Sequence, residues 1–280
     1  MLQIRFDLSA FHSVEIVPVQ DVHIGNPLCQ EAEFKKIIDY IMKEPDDPKM
    51  ARICLVNGDL TESLTRNSVG NIFEQTMTPS VQVATMINYL KPLTEKTDKY
   101  PQGKILSYCA GNHDSGRYRE TGISASESIA VGLELEDRYS TDGCYCFIQL
   151  QRKSSDTQRQ NFTLYNTHLS GSGQTAGAKA NKIQRVSSGV IADVVVGAHF
   201  HAPMVFKEDI FIPSTNGVCS LQRKTITHVI GNSFLAYGDY AQRAGMKPAT
   251  IATPRIFVKQ IVAENDKKQN QRYFLTEVLL

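Results

Sequence analysis

Five of the seven histidines in the chain lie in short segments that follow apolar runs. Aspartate and asparagine accompany them, and carboxylate, imidazole and amide groups are donors that zinc, manganese or iron accept from proteins. No cysteine lies in these segments, which argues against a structural thiolate site. The segments supply, in chain order, Asp21 and His23, Asp59, Asn112 with His113 and Asp114, His168, and His199 with His201.

The spacing within these segments favours metal binding. Asp21 and His23 are two residues apart, so both side chains project from one side of an extended chain, and His199 and His201 repeat this spacing. Asp59 stands alone in its turn and is the natural carboxylate to bridge two ions. Two ions about 3.5–4 Å apart can clamp a phosphate and lower the pKa of water from about 15.7 to about 7.

Each of these residues also has an ordinary structural interpretation. Aspartate and asparagine are common in turns and at helix N-caps, so any one segment alone would favour a turn or a cap. The ordered set of segments favours metal binding instead. His113 could be a further ligand or a structural turn residue, and Asp114 could cap the turn.

Basic and glycine-rich loops next to these segments are candidates for binding substrate. Arg66 and Arg117 could bind a phosphate group, although arginines in loops are often simply solvated. Residues 170–173 could hold phosphate through backbone amides or form a flexible surface loop. Both interpretations stay open for these three sites.

The elements that position the candidate residues follow from the hydrophobic pattern. Strands are predicted at Val14–Val19, Arg52–Val56, Ile105–Cys109, Tyr145–Leu150, Asn161–Asn166 and Asp193–Val196. Helices are predicted at about 30–43, 71–90, 124–133 and 176–191. Strands separated by helices indicate an α/β fold, and open α/β sheets bind ligands beyond the carboxyl ends of their strands. Residues 111–114 are predicted to form such a turn.

The last part of the chain has a different pattern. Its β-like runs, with little helix between them, are Met204–Phe206, Asp209–Ile212, Lys224–Ile230, Arg255–Ile261 and Tyr273–Leu279. Consecutive strands without crossover helices favour an antiparallel meander, so we expect residues 204–280 to add a second sheet. No linker separates this part, and we expect one domain over residues 1–280, with the metal motifs in residues 14–203.

Length and composition agree with a folded enzyme-sized domain. The chain has 280 residues, of which 41% are hydrophobic, enough for a substantial core. No apolar run approaches the roughly 20 residues of a membrane helix, and no signal peptide is evident. We therefore expect a cytoplasmic protein with reduced cysteines. The formal net charge of +1 argues against a large basic footprint for nucleic acid but allows a local basic groove.

The ordered motifs strongly resemble those of the calcineurin-like metallophosphoesterases over about two thirds of the chain. They are Asp21-x-His23, Gly58-Asp59, Gly111-Asn112-His113-Asp114, His168 and His199-x-His201. The resemblance implies a four-layer αββα sandwich with a dinuclear metal site at the C-terminal ends of the strands. It implies one ion held by Asp21, His23, Asp59 and His201, and a second held by Asp59, Asn112, His168 and His199. It also implies that His113 acts on the scissile phosphate as general acid or charge stabiliser, and that Asp114 orients its ring.

Two details qualify the resemblance. The last motif of the family usually has glycine directly before its first histidine, whereas Ala198 stands between Gly197 and His199 here. We expect the ligands to be kept and the turn to differ slightly. A looser resemblance, to phosphoesterases encoded by phages and prophages, rests on residues 57–71 and on the glycine-, serine- and asparagine-rich residues 167–182. It would place the protein in the host cytoplasm.

The resemblance implies a metal-dependent phosphoesterase in which a metal-bridged hydroxide attacks phosphorus. Two divalent ions are expected, with manganese preferred and zinc, iron or nickel as alternatives. We expect hydrolysis of phosphodiester bonds in a nucleic acid (DNA or RNA) or a nucleotide. The alternatives are a phosphomonoesterase acting on phosphoprotein or small metabolites, and a non-catalytic scaffold on the same fold.

Overall fold

The fold is described from a computed structural model of the chain. The structure describes residues 1–68, 72–150, 161–173, 175–213, 220–238, 242, 248, 251–264 and 270–280. Within these ranges, the side chains of residues 114–117, 262–264 and 270–273 are not described. None of the described helices is long and apolar enough to span a membrane.

The described residues contain strands and helices that alternate through the first two thirds of the chain. The strands are β1 (Leu2–Leu8), β2 (Ser13–Val19), β3 (Met50–Asn57), β4 (Ile105–Cys109), β5 (Tyr139–Ser140), β6 (Cys144–Leu150), β7 (Phe162–Thr167), β8 (Val194–Gly197), β9 (Met204–Pro213), β10 (Leu221–Ile230), β11 (Arg255–Glu264) and β12 (Asn270–Leu279). The helices are α1 (Glu31–Met42), α2 (Pro79–Leu90), α3 (Asn112–Thr121), α4 (Ala125–Gly132) and α5 (Ala176–Ser187).

The strands form two mixed sheets. Sheet I has the order β12-β11-β2-β3-β4-β5, and sheet II has the order β1-β6-β7-β8-β10-β9. In sheet I, β2, β3, β4 and β5 run parallel, and β11 pairs antiparallel with both β2 and β12. In sheet II, β7, β8 and β10 run parallel, β1 runs parallel to β6, and β6–β7 and β9–β10 are antiparallel pairs.

Alternate residues of the central strands enter different layers of the core. In β3, Ile53 and Leu55 pack between the sheets, whereas Val56 packs on the side of α1, α2 and α4. In β8, Val194 packs between the sheets and Val195 packs with Ile183 of α5. The layers therefore follow one another as helices, sheet I, sheet II and helix, in the αββα order that was predicted. This order brings the ends of both parallel strand groups to one edge.

Two predicted helices are shorter in the structure, and one helix was not predicted. The helix predicted at 71–90 begins only at Pro79, since proline suits the first helical position and lacks an N–H for an earlier turn. The helix predicted to reach 191 ends at Ser187. The predicted turn at 111–114 is instead the start of α3, whose polar sequence lacks the apolar stripe that would have indicated a helix.

The described strands of the C-terminal part do not form a sheet of their own, so that expectation was wrong. β9 and β10 extend sheet II beside β8, whereas β11 and β12 extend sheet I beside β2. β1, which was also not predicted, forms the opposite edge of sheet II by pairing with β6. Pairing with strands distant in the sequence decides which of the two sheets a strand joins. The local pattern of alternating residues carries no information about the partner strand.

Candidate metal centre

The candidate metal ligands lie in loops that leave the carboxyl ends of parallel strands. Asp21 and His23 follow β2, Asp59 follows β3, and Asn112 begins the helix after β4. From sheet II, His168 follows β7, and the segment with His199 and His201 follows β8. Because the two sheets pack face to face, these loops meet at a common edge. Sheet I supplies the acids and the amide, and sheet II supplies three of the histidines.

The backbone of these loops is held in a conformation that side chains rarely adopt. Five candidate residues have left-handed φ angles: Asp21 (46°), His23 (52°), Asp59 (47°), His199 (80°) and His201 (52°). Each such residue costs about 1–3 kcal/mol and persists where the surroundings impose it, most often at functional sites. Backbone hydrogen bonds between the loops impose it here. The N–H of Asp21 donates to the backbone carbonyl of Gly58 (3.1 Å), and the N–H of His23 donates to the backbone carbonyl of Asp59 (3.0 Å).

Two glycines allow the turns after β3 and β4 to touch. A Cβ atom at Gly111 would lie 2.0 Å from Oδ1 of Asp59, and one at Gly58 would lie 2.6 Å from the Cα of Gly111. Gly58 also has a φ of +75°, which favours glycine. The glycines therefore let the Asp59 carboxylate lie directly against the start of α3.

The first group of converging donors consists of Asp21, His23 and His201, whose ligand atoms lie within 4.8 Å of one another. Nε2 of His23 is 3.3 Å from Nε2 of His201, and Oδ1 of Asp21 is 3.5 Å from the same His201 atom. Nδ1 of His23 donates to the carboxylate of Glu62 (3.0 Å), which leaves its Nε2 as an acceptor facing the group. This bond fixes the tautomer that binds a metal.

The second group consists of Asp59, His168 and His199, with Asn112 between them. Nδ1 of His168 donates to the carbonyl of Asn57 (2.8 Å), and Nε2 of His199 donates to the carbonyl of Gly171 (2.8 Å). The other ring nitrogens therefore face inward. Nε2 of His168 lies 3.2 Å from Oδ2 of Asp59.

The amide of Asn112 lies among the donors of this second group. Its oxygen lies 2.6 Å from Nδ1 of His199 and 3.1 Å from Nε2 of His168. The reversed amide would donate to these atoms and to Asp59. Either end of the amide can therefore face the group, and its oxygen is the end that could bind a cation.

A buried oxygen without a hydrogen-bond partner at the first group indicates a cation site. Oδ1 of the fully buried Asp21 has no hydrogen-bond partner among the described residues. A buried carboxylate oxygen without a partner is costly unless a cation lies beside it. Oxygen and imidazole donors without thiolates suit manganese, zinc or iron. The residues therefore fit divalent ions.

The acids and histidines of the site shift one another's pKa values. Burial acts to raise the pKa of Asp59, but the neighbouring His168, with His113 and His23, outweighs burial and holds it well below its usual range. Burial acts to lower the pKa of His168, but Asp59 outweighs it and raises that pKa to about 9. In the metal-free protein at neutral pH, a proton on His168 therefore takes the position that a cation would occupy.

His113 lies beside both groups at the start of α3. Its backbone N–H donates to Oδ1 of Asp59 (3.0 Å), and its ring Nδ1 donates to the carbonyl of Glu62 (3.0 Å). Its ring centroid lies 4.6 Å from that of His23. Burial acts to lower its pKa, but Asp59 and Glu62 outweigh burial and raise it. With Nδ1 engaged, Nε2 is the ring atom at which a proton could be exchanged with a ligand.

The remaining sequence candidates have different outcomes. The side chains of Asp114 and Arg117 lie outside the described residues, so their roles stay predictions. Arg66 is exposed on the loop after β3, and no described contact joins it to either donor group. The adjoining Thr65 bonds Glu120 of α3 (2.7 Å), which ties this loop to the helix that begins at Asn112.

Glu62 was missed as a site residue. It is buried, its side chain binds His23 and its carbonyl binds His113. Burial acts to raise its pKa, but His23 outweighs burial and lowers it. Ser63, the next residue, is fixed by the side chain of the fully buried Gln82, which accepts its N–H (2.9 Å). The position of Glu62 three residues after Asp59 places it in the same loop but does not indicate that it binds His23.

The turn after β8 accommodates an alanine directly before His199, as expected from the sequence. Ala198 is fully buried, and the left-handed conformations fall on His199 and His201. The structure brings both histidines to the donor groups. Gly197 is the tightly packed glycine of this segment, because a Cβ there would lie 2.5 Å from Leu169.

No protein-family model matches the sequence, and no curated protein matches it significantly. Among solved structures, the fold is similar to a predicted phosphoesterase from Streptococcus pneumoniae, with 10% identity, a TM-score of 0.36, and 95% of this chain and 98% of that chain covered. It is similar to Vps29 of Chaetomium thermophilum, with 10% identity, a TM-score of 0.37, and coverages of 96% and 97%. A single-substitution variant of Vps29 from Entamoeba histolytica aligns at 10% identity and a TM-score of 0.29, with coverages of 79% and 97%.

Alignments at these TM-scores carry no information about function. The fold and the site define the structural class of the protein. It is an α/β protein with two mixed sheets between helices and with grouped aspartate and histidine donors at one sheet edge.

Proposed function

We propose that the protein is a metal-dependent phosphoesterase of the calcineurin-like type, with phosphodiesters as its substrates. The observation that carries the proposal is the convergence of two donor groups whose histidines turn their unbonded nitrogens inward. In our assignment the first ion is held by Asp21, His23, Asp59 and His201. The second is held by Asp59, Asn112, His168 and His199.

Bound divalent ions would supply an activated water and neutralise charge on the phosphate oxygens. The protein's own residues supply the rest of the chemistry. Asp59 lies between the groups, with Oδ2 near His168 and Oδ1 held by the N–H of His113. We assign to Nε2 of His113 the donation of a proton to the leaving oxygen, with Asp114 as the residue that orients the ring.

The surroundings of the second donor group support an extended, polyanionic substrate. Residues 168–190 contain no acidic residue, and α5 carries Lys179 and Lys182. Nζ of Lys179 donates to the carbonyl of Phe200, between the two histidines of that segment (3.3 Å). Nζ of Lys182 would lie 2.7 Å from a Cβ at Gly171. Neither lysine forms an ion pair with a described acidic residue, so both amines could bind phosphates flanking the scissile bond.

The test of the reaction compares His113→Ala with the wild type. We expect the variant to retain its divalent ions, measured by elemental analysis, and to lose about 100-fold or more in kcat, as removal of a general acid does. Full activity would remove His113 from the mechanism. In the wild type with Mn²⁺, bis(p-nitrophenyl) phosphate should be hydrolysed faster than p-nitrophenyl phosphate. A strong preference for the monoester would favour a phosphomonoesterase, and absence of both metal and activity would favour a scaffold.

The substrate class has a separate test. Lys182→Gln should lower kcat/KM for a single-stranded oligonucleotide about tenfold and leave the small diester unaffected, because only the polymer reaches α5. The matched control is Lys96→Gln, an exposed lysine before β4 and away from the candidate edge. Equal kcat/KM for the oligonucleotide in Lys182→Gln and the wild type would contradict the polyanion assignment.

A further inference from the structure

A buried glutamine lies directly before the first candidate ligand. Gln20 directly follows β2 and precedes Asp21, and its side chain is fully buried. Its Nε2 lies 3.3 Å from Oδ2 of Asp21 and 3.3 Å from the carbonyl of Asn232. Both neighbours are acceptors, so the amide must present its NH₂ group to them.

The two carboxylate oxygens of Asp21 consequently have different hydrogen-bond partners. Oδ2 accepts from Gln20 and also from the backbone N–H of His199 (3.0 Å). Oδ1 has no hydrogen-bond partner among the described residues and faces Nε2 of His201 at 3.5 Å. One oxygen is therefore saturated with donors, and the other is left for a cation.

The chain makes room for this amide and fixes the backbone around it. A Cβ atom at Gly231 would lie 2.2 Å from Nε2 of Gln20, so a larger residue would displace the glutamine. The carbonyl of Asp21 accepts from Oγ of Ser233 (2.9 Å) and from the N–H of Phe234 (3.0 Å). The carboxylate can thus rotate only about its own side-chain bonds, and Gln20 restrains that rotation.

We propose that Gln20 is a positioning residue that makes Asp21 a one-oxygen ligand, through Oδ1, of the first metal ion. The inference rests on the proposed metal site and concerns only its first ion. Without the Gln20 donor, the carboxylate could turn Oδ2 toward the ion or away from it. Outer partners of metal ligands typically contribute 10–100-fold to metal affinity.

The test is Gln20→Met, which keeps the length of the side chain and removes its donor. Mn²⁺ binding is measured by titration, with free Mn²⁺ read from its electron paramagnetic resonance signal. We expect one of two binding steps to weaken about tenfold or more, the same step that is lost in His201→Ala, and the other to be unchanged. Thr163→Val is the matched control, since it removes one of the two donors (2.6 and 2.7 Å) on Oδ2 of Asp193, which belongs to no candidate donor group.

A second variant covers the case in which Gln20→Met does not fold. Gly231→Ala leaves Gln20 in the chain but pushes its amide from Asp21, and we expect the same selective loss. Unchanged affinity for both ions in either folded variant would overturn the inference, as would an equal loss in Thr163→Val. A wild type that binds no Mn²⁺ would instead overturn the proposed function, so the two failures are distinguishable.

Discussion

Replacing Glu62 by glutamine tests the support of His23 with the least structural disturbance. The buried carboxylate accepts from Nδ1 of His23 at 3.0 Å. A glutamine has the same shape, and its Oε1 can accept the same hydrogen bond, so the loop after β3 should keep its course. What is lost is the negative charge that makes His23 a better metal donor.

The size of the effect follows from the kind of hydrogen bond that is changed. A bond to a charged group contributes about 1.5–3 kcal/mol, and a neutral bond about 0.5–1.5 kcal/mol. The difference of about 1–1.5 kcal/mol corresponds to roughly a tenfold weaker metal binding constant. Both partners are buried, so solvent screening reduces this figure little.

Isothermal titration of the metal-free protein with Mn²⁺ measures the effect. The matched control is Glu44→Gln, which removes the same charge from an ion pair with Lys104 (3.4 Å). That pair lies at the start of β4, the end of the sheet away from the candidate site. Glu62→Gln should weaken one of the two Mn²⁺ binding steps about tenfold, and Glu44→Gln should weaken neither step. Equal affinities for Glu62→Gln and the wild type would refute the assigned role of Glu62.

Two further predictions follow from the charges and the packing of the site. Metal binding must displace the proton of His168, whose pKa is raised to about 9, so the Mn²⁺ affinity should rise about tenfold per pH unit from pH 7 to 8 and level off near pH 9; a pH-independent affinity over this range would contradict the assignment. Gly111→Ala should weaken the binding of both ions, because its Cβ would lie 2.0 Å from Oδ1 of Asp59. Gly177→Ala has open space around its Cβ and should leave the metal content unchanged. Elemental analysis of both variants checks this.

The candidate donor residues could be predicted from sequence because each follows a recognisable strand. Runs such as Ile105–Cys109 end where a ligand-type residue follows, and the carboxyl ends of parallel strands meet at one edge. The structure brings Asp21, His23 and His201 together in that way. The roles of Asp114 and Arg117 stay predictions.

The supporting residues could not be predicted because their partners are distant in sequence. Glu62 binds a histidine 39 residues earlier in the chain, and Gln20 binds a carbonyl 212 residues later. Neither distance leaves a local pattern. The pairing of β9 and β11 with different sheets has the same cause, since each strand alone offers only its alternation of buried and exposed residues. β1 does show that alternation, at Leu2–Leu8, and could have been found.

In the proposed site two ions share Asp59, and the metal content of the protein measures this directly. After equilibration with Mn²⁺ and removal of unbound metal, elemental analysis should give about two ions per chain for the wild type. His201→Ala and His168→Ala should each retain about one, and Asp59→Ala should retain almost none, because both ions lose a ligand. A wild type without bound metal, or an Asp59→Ala variant that keeps both ions, would contradict the account.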